Sequence, residues 1–387
     1  MLPSFEIERF RTFSHLVIPR LGRVNLIVGR NGAGKTMLLE ALRFYTSGGH
    51  PKVLGDLLYD RDELIAGQEP AAGRGEPFAR LESLFHGRQR VVGPENALRL
   101  GTSPQDPLAL RVQLAAFRRP AFDRPAGTLD YEPVSGTSLT EPDVVPGIIV
   151  FQGDRKIHAL TSRHVALLRK LPGRFIRGLG AKSAFVGAAK IDFEHMARQW
   201  DAIVLKEGEE RVRECLRIIA SVERITAVGD PRRPGRRMFV VRVQPDLEPV
   251  PLKSLGDGMV RILRIALALE TAASEGVMEP EHPLFPEMQE RPPGSVLFLD
   301  EVENGIHHTV LPELWRFLIK VAKLRDVQVF AATHSWDCVE AFQYAASKEE
   351  DSNAVLIRLE KKGDTNRAVI FAGEELPIVT QHGIEVR

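Results

Sequence analysis

Apolar and polar positions along the chain predict strands at both of its ends. Phe5–Phe10 alternates apolar and polar residues as a half-buried strand does, and His15–Ile18 predicts a second strand. Val24–Val28, Ser295–Leu299 and Val327–Ala332 are apolar runs of strand length. Each of these three runs is followed by glycine or polar residues. Strands that alternate with helices and end in polar residues predict an open α/β sheet with a ligand crevice.

Helical spacing of apolar residues predicts helices between these strands. Residues 158–225 are predicted to be helical in several pieces, with breaks near Pro172–Gly173 and Gly178–Gly180. The clearest helical segments are Met37–Leu42, Glu207–Ala220, Met259–Ala273 and Val310–Lys323. The other predicted strands are Ala97–Leu100, Leu108–Gln113, Gly147–Phe151, Met238–Val243, Ala354–Leu359 and Arg367–Phe371. We therefore predict an N-terminal lobe at 1–150, a basic and mostly helical insertion at 151–245, and a C-terminal lobe at 246–387.

Composition narrows the class of protein. The 387 residues are 43% hydrophobic and 27% charged, which is ordinary for a globular protein with a full core. No apolar run reaches the length of about 18 residues that a membrane span needs, and the first residues lack the plan of a signal peptide. The two cysteines, Cys215 and Cys338, form neither a metal motif nor a disulfide framework. We expect a cytoplasmic protein that does not engage a membrane.

Charge is unevenly distributed along the chain. Residues 151–243 hold 20 Lys/Arg against 10 Asp/Glu, although the whole chain is close to neutral. Four arginines, Arg232, Arg233, Arg236 and Arg237, fall in one Pro/Gly loop, which we expect to project from the surface. Nucleic acid is the leading candidate partner for this region. An acidic protein partner and a simple solvated basic surface are the alternatives.

The segment Gly29–Thr36 carries the strongest chemical signal. It matches the P-loop pattern G-x-x-x-x-G-K-[ST] and lies between a predicted strand and a predicted helix. In that context, backbone amides and a helix N-terminus converge on one anion. We expect Lys35 to reach the β- and γ-phosphates of ATP and Thr36 to bind Mg²⁺. The predicted nucleotide-binding residues are Asn31, Gly32, Ala33, Gly34, Lys35 and Thr36.

Polar residues that follow two later strands complete a candidate catalytic set. Asp300 and Glu301 end the apolar run Val296–Leu299, as in a Walker B strand. Asp300 is predicted to hold Mg²⁺ together with Thr36, and Glu301 to polarise the attacking water. His334 follows the next strand, where an imidazole can hydrogen-bond a γ-phosphate oxygen or that water.

The order of these motifs resembles the ABC-type ATPases of the SMC/RecF/OLD branch. The resemblance covers residues 1–45 and 250–345 and includes Asn31-Gly32 within the P-loop. The stretches Glu301–His307 and Thr333–Phe342 are most similar to compact OLD-like ATPases of the AAA family that lack a Toprim domain, many of which serve in phage defence. The resemblance implies an α/β fold, namely a P-loop ATPase head with a RecA-like core sheet and a flanking antiparallel β subdomain, here with a mostly helical insertion.

The resemblance also implies a dimer that encloses ATP. In this family the signature motif of one head contacts the γ-phosphate bound by the other. The corresponding stretch is Leu255–Met259, where Gly256 and Gly258 are the implied contacts. Gly256 occupies the place of the family's serine, and Ser254 is a candidate substitute. Gln152, at the end of a predicted strand, is a candidate Q-loop ligand that senses Mg²⁺.

The family's members differ in what their ATPase controls. Only about 50 residues follow His334, too few for a Toprim nuclease, so we expect any nuclease effector to be a separate chain. The leading interpretation is an ATPase that converts ATP and water to ADP and phosphate, forms a homodimer around ATP, and controls an effector or a nucleic-acid contact in phage defence or DNA repair. The alternative is a nucleotide-gated scaffold or sensor with little turnover. A transporter ATPase subunit is disfavoured by the Asn31-Gly32 pair and by the absent consensus signature.

Overall fold

The computed structural model describes most of the chain in segments. The described residues are 1–65, 78–118, 131–134, 139, 141, 143–168, 183–187, 191–245, 248–273, 294–349, 351–363 and 365–376. The predicted breaks near Pro172–Gly173 and Gly178–Gly180 lie outside the described residues.

Strands and helices alternate through the described segments. The strands are β1 Phe5–Phe10, β2 Phe13–Ile18, β3 Val24–Gly29, β4 Leu64–Ile65, β5 Phe78–Ala79, β6 Leu98–Gly101, β7 Leu110–Arg118, β8 Glu132–Val134, β9 Val144–Gln152, β10 Arg155–Thr161, β11 Ser183–Val186, β12 Val222–Gly229, β13 Arg237–Val243, β14 Val250–Pro251, β15 Ser295–Leu299, β16 Val327–Ala332, β17 Ala354–Lys362 and β18 Thr365–Ala372. The helices are α1 Lys35–Thr46, α2 Pro51–Tyr59, α3 Ser162–Leu168, α4 Phe193–Ile203, α5 Glu207–Leu216, α6 Asp257–Ala273, α7 Leu311–Leu324 and α8 Trp336–Lys348.

A six-stranded sheet forms the centre of the fold. Its strand order is β11-β15-β16-β3-β17-β18, in which only β18 runs antiparallel to its neighbour. The strands β3 and β16 are buried at every position, as expected when helices or another sheet cover both faces. The predicted α/β fold is thereby confirmed.

A second sheet, with antiparallel pairing, lies on one side of this centre. It runs β10-β9-β7-β6-β1-β2, with β8 paired to β7. Leu38 and Leu42 of α1 share an apolar core with Phe5 and Ile7 of β1 and with Phe330 of β16. The P-loop helix is therefore packed between the two sheets. This arrangement confirms the predicted antiparallel subdomain.

The opposite face of the central sheet packs against helices. Leu263 and Leu267 of α6 share a second apolar core with Leu318 of α7, Phe342 of α8 and Val329 of β16. None of the described helices has the length and apolar character needed to cross a bilayer.

The prediction that residues 151–245 are mostly helical is wrong for the part that the structure describes. Residues 155–161 and 222–229 are strands, and β11 joins the edge of the central sheet. Val222, Ile225 and Thr226 are β-branched, which favours the extended chain after α5 ends at Leu216. The β9–β10 hairpin also crosses the predicted boundary at residue 150.

Candidate active site

Glycines shape the loop between β3 and α1. Gly29, Gly32 and Gly34 have φ angles of 146°, 79° and 102°, which residues with side chains rarely adopt. A Cβ on Gly34 would lie 2.6 Å from the ring of Phe13, and one on Gly29 would lie 2.5 Å from the carbonyl oxygen of Leu359. The loop is therefore packed closely between β2 and β17, and its glycines allow the backbone to curve around an anion.

Lys35 is the cation of this loop. Its Nζ donates hydrogen bonds to the carbonyl oxygens of Gly29 at 2.5 Å and Arg30 at 3.2 Å, and the residue is buried. Burial lowers the pKa of Lys35, and the charge of Asp300 is the strongest of those that oppose this shift. A buried ammonium near carboxylates suits a ligand that carries both phosphates and a divalent cation.

The strand order brings the predicted catalytic residues to one edge of the sheet. β16 lies between β15 and β3, so His334 emerges between the Walker B turn and the P-loop. A cleft of about 360 Å³ is lined by both Asn31 and His334. A second cleft, of about 420 Å³, is lined by the same two residues together with Glu301, Glu303 and Asn304. Thr36, in the first turn of α1, and Asp300, at the end of β15, are each half-buried.

Arg261 holds the Walker B turn from the signature helix. Its Nη1 donates to the carbonyl oxygen of Gly187 at 2.8 Å, and its Nη2 donates to those of Asp300 at 2.7 Å and Glu301 at 2.8 Å. Burial lowers the pKa of Arg261 to about 10. Glu301 has a φ of 49°, a left-handed conformation that costs a non-glycine residue about 1–2 kcal/mol. The guanidinium therefore helps to stabilise a strained turn, a role that the sequence analysis missed.

Glu303 is a third carboxylate of the site that was not predicted. Its Oε1 accepts a hydrogen bond from the backbone N–H of His334 at 3.0 Å. Its Oε2 is buried and has no hydrogen-bond partner among the described residues. Glu303 thus joins the turn that carries Glu301 to the loop that carries His334. The only sequence signal for it was a carboxylate two positions after Glu301.

The signature stretch Leu255–Met259 opens α6. Ser254 and Gly256 are exposed, and Gly256 has a φ of 95° with no atom within 4 Å of an added Cβ. By contrast, a Cβ on Gly258 would lie 2.8 Å from the carbonyl oxygen of Gly305 in the same chain. Gly258 therefore allows the turn after Walker B to pack closely against the signature helix.

The structure does not bring Gln152 to the predicted metal-binding group. Gln152 pairs across the antiparallel sheet with Leu110. The side chain of Leu110 lies 3.3 Å from where a Cβ on Gly49 would be, and Gly49 follows the C-terminal end of α1. Gln152 is therefore near the C-terminal end of this helix. Thr36 is in the first turn of α1, and a helix of 12 residues separates its ends by about 16 Å. The assignment of Gln152 as a metal ligand is therefore wrong. A strand end was recognised correctly, but it belongs to the other sheet.

One of the four arginines in the predicted loop already has partners within the chain. Arg237 is ion-paired, since its two Nη atoms donate to the carboxylate of Asp201 and its backbone N–H donates to Glu194. That ion pair raises the pKa of Arg237. The loop is also close in space to Ser254, with which it lines one cleft. The loop therefore lies beside the signature stretch in the fold.

Two family models match parts of the chain. One, described as "AAA domain, putative AbiEii toxin, Type IV TA system", matches residues 209–337, and one described as "AAA domain" matches residues 4–83. The first range contains Asp300, Glu301 and His334, and the second contains the P-loop. These matches support an ATPase domain whose halves are separated in the sequence.

Individual relatives are similar over shorter or more divergent regions. "Structural maintenance of chromosomes protein 5" of Arabidopsis thaliana is 42% identical over 52 residues, which are 13% of this chain and 5% of that protein. The SMC head domain from Thermotoga maritima is 14% identical over 96% of this chain and 99% of that chain, with a TM-score of 0.41. An SmcHead bound to the C-winged helix domain of ScpA is 11% identical over 97% of this chain and 99% of that chain, with a TM-score of 0.49.

Proposed function

We propose that this protein is an ATPase head that binds ATP–Mg²⁺, pairs with a second copy around the nucleotide, and hydrolyses it slowly. The observation that carries this proposal is the shared lining of two adjoining clefts. Asn31 of the P-loop, Glu301 of the Walker B turn and His334 of the next loop meet there. Few other functions need a P-loop lysine and a strand-end carboxylate pair at one edge of a sheet.

The residues present fit Mg²⁺ by the chemistry of their donors. The hydroxyl of Thr36 and the carboxylate of Asp300 are hard oxygen ligands of the kind that Mg²⁺ prefers. The bound ion would neutralise charge on the phosphate oxygens. Lys35 lies over the P-loop, where its Nζ can exchange its two carbonyl contacts for phosphate oxygens.

The remaining groups can position and activate water. Glu301 has a carboxylate that can accept a proton from the attacking water, and its place in the turn is stabilised by Arg261. His334 is exposed in the cleft, where its ring can hydrogen-bond the γ-phosphate or that water. Glu303 holds the His334 backbone and so couples the position of that ring to the position of Glu301.

A second copy would complete the site through its signature stretch. Ser254 and Gly256 are exposed at the start of α6, as a contact across a dimer requires. We propose that the resulting ATP-dependent dimer controls a separate effector, which can be a nuclease, or a nucleic-acid contact. The resemblance in Glu301–His307 and Thr333–Phe342 supports an OLD-like role in phage defence or DNA repair.

One observation favours a sensor with little turnover as a second candidate. Gly256 stands where the family carries serine, and its φ of 95° is one that a serine would adopt only with strain. Phosphate release measured at saturating ATP–Mg²⁺, with and without DNA, separates the two. Steady multiple turnover supports the ATPase, whereas tight ATP binding without phosphate release supports the sensor.

A further inference from the structure

Another cleft, larger than the two at the candidate active site, lies beside the signature stretch. Its volume is about 880 Å³, and its lining comes from residues 191–194, 230–233, 236–239, 251, 253 and 254. We call it the basic cleft. Its size is within the range of about 300–1,000 Å³ that binds compact ligands, so it can hold a few residues of an extended peptide.

Three of the cationic side chains of the basic cleft are free to bind an anion. Arg232, Arg233 and Arg236 are exposed, and none makes a side-chain hydrogen bond or ion pair with the described residues. Three like charges within five residues repel one another unless an anion offsets them. Arg237 is different, since its guanidinium is held by Asp201.

The carboxylates of the cleft, by contrast, are already bound. Asp192 accepts hydrogen bonds from the backbone N–H groups of Glu194 and His195. Asp230 accepts one from the backbone of Arg232 at 2.9 Å, and Glu194 accepts one from that of Arg237 at 2.6 Å. The groups left unsatisfied are therefore cationic, which sets the charge of the ligand.

Apolar side chains provide the floor. Ile191, Phe193 and Met238 are half-buried in the lining, and Phe239 is buried beneath them in an edge-to-face contact with Trp200. The ammonium of Lys253 lies 4.6 Å from the ring centre of Phe193, so one face of that ring is covered. An apolar floor with basic residues at the rim matches a ligand with apolar side chains between carboxylates.

We propose that the basic cleft binds an acidic peptide segment of a partner protein, with its carboxylates on Arg232, Arg233 and Arg236 and an apolar side chain on the floor. Nucleic acid fits less well. Lys253 already covers one face of the ring on which a base could stack, and the apolar floor matches the side chains of a peptide rather than a chain of phosphates.

The position of the cleft couples it to the signature stretch. Lys253 and Ser254 line the cleft and directly precede Leu255–Met259. A bound peptide would therefore contact the segment that a second copy is proposed to use, and binding at either place would change affinity at the other by the same factor. This coupling rests on the proposed function, whereas peptide binding itself does not.

Binding is tested by fluorescence anisotropy on the full-length protein without nucleotide. The probe is a fluorescein-labelled twelve-residue peptide in which pairs of acidic residues alternate with phenylalanine and leucine. Two altered peptides carry either amides in place of the carboxylates or serine in place of the apolar residues. Labelled single-stranded and duplex DNA of 20 nucleotides are titrated in parallel.

The variant Arg232→Glu/Arg236→Glu should weaken peptide binding at least about tenfold, since two attractive contacts become repulsive. Its melting temperature should not change, because neither side chain has a partner to lose. The matched control is Arg20→Glu/Arg224→Glu, which changes net charge equally at exposed arginines outside the cleft. This control should stay within about twofold of the unmutated protein, as expected for exposed charges.

Saturable binding that needs both the carboxylates and the apolar residues of the peptide, and that is lost only in the cleft variant, supports the proposal. Absence of saturable binding overturns it, as does an equal loss in the control pair. DNA binding that is tighter than peptide binding and is lost in the cleft variant assigns the cleft to nucleic acid instead. Peptide binding that does not change the rate of phosphate release supports the binding site and contradicts only its coupling to the signature stretch.

Discussion

Replacing Arg261 with Met should damage both the stability of the protein and its chemistry, because this guanidinium joins α6 to the Walker B turn. It donates to three backbone carbonyl oxygens, those of Gly187, Asp300 and Glu301. A methionine of similar length fills the space but leaves all three oxygens without this donor. Arg261→Lys keeps the charge, although a single ammonium cannot reproduce the planar fork.

The loss in the free energy of unfolding expected for Arg261→Met is the difference between two opposing contributions. Hydrogen bonds to charged groups contribute about 1.5–3 kcal/mol each, so three contribute roughly 5–9 kcal/mol. Burial lowers the pKa of Arg261 to about 10, and such a shift corresponds to a desolvation cost of about 3 kcal/mol. The net loss expected for Arg261→Met is therefore roughly 2–6 kcal/mol, with a smaller loss for Arg261→Lys.

Two measurements on the same variants check this reasoning. Thermal unfolding should show Tm lowered by several degrees, and phosphate release at saturating ATP should fall about 10- to 100-fold, since small displacements of a catalytic group have effects of that size. Arg264→Met is the control, because Arg264 also donates to Gly187 at 2.9 Å but makes no described hydrogen bond to Asp300 or Glu301. An Arg261→Met protein with unchanged Tm and turnover would refute the assigned role.

The remaining predictions concern the phosphate, the dimer contact and acid stability. Lys35→Ala should abolish ATP binding in a filter or calorimetric assay, because the cation that contacts the phosphates is lost. Its Tm should stay within a few degrees, because the substitution also removes a buried charge. Tight ATP binding by this variant would contradict the P-loop assignment. Gly256→Arg should block ATP-dependent dimerisation in sedimentation, whereas Gly256→Ala, which has the same backbone strain, should not. Gly258 is unsuitable for this test, because a side chain there would clash with the carbonyl oxygen of Gly305 in the same chain. His50 and His158 have pKa values lowered by burial to about 3 and about 4, so the unfolded chain binds protons between pH 6.5 and 4 that the folded chain does not. The free energy of unfolding should fall by about 2 kcal/mol for each histidine between pH 7 and pH 5. His158→Gln should make this pH dependence shallower in urea unfolding, and an unchanged slope would contradict the prediction.

Local chemistry explains which parts of the site could be predicted from the sequence. The P-loop was predictable because its glycines, its lysine and its flanking elements are neighbours in the chain, and the backbone angles at Gly32 and Gly34 require glycine. The paired carboxylates Asp300 and Glu301 were predictable because they end an apolar strand.

Contacts between distant segments explain what the sequence analysis missed. Nothing in the residues around Ser183 shows that they will pair with β15, because the partner strand follows more than 100 residues later. The same holds for Arg261, whose carbonyl partners belong to two other segments of the chain, at Gly187 and at Asp300–Glu301. Gln152 illustrates the same limit, since the end of its strand was recognised from the sequence but the sheet to which that strand belongs was not.

The most direct test of the account is a comparison of Glu301→Gln with the unmutated protein in two assays. The amide has nearly the same shape as the carboxylate but cannot accept the proton of the attacking water. The account predicts ATP affinity within about threefold of the unmutated protein, phosphate release slowed at least about 100-fold, and an ATP-dependent dimer that accumulates in sedimentation velocity. Turnover at the unmutated rate, or a protein that stays monomeric with saturating ATP–Mg²⁺, would contradict it.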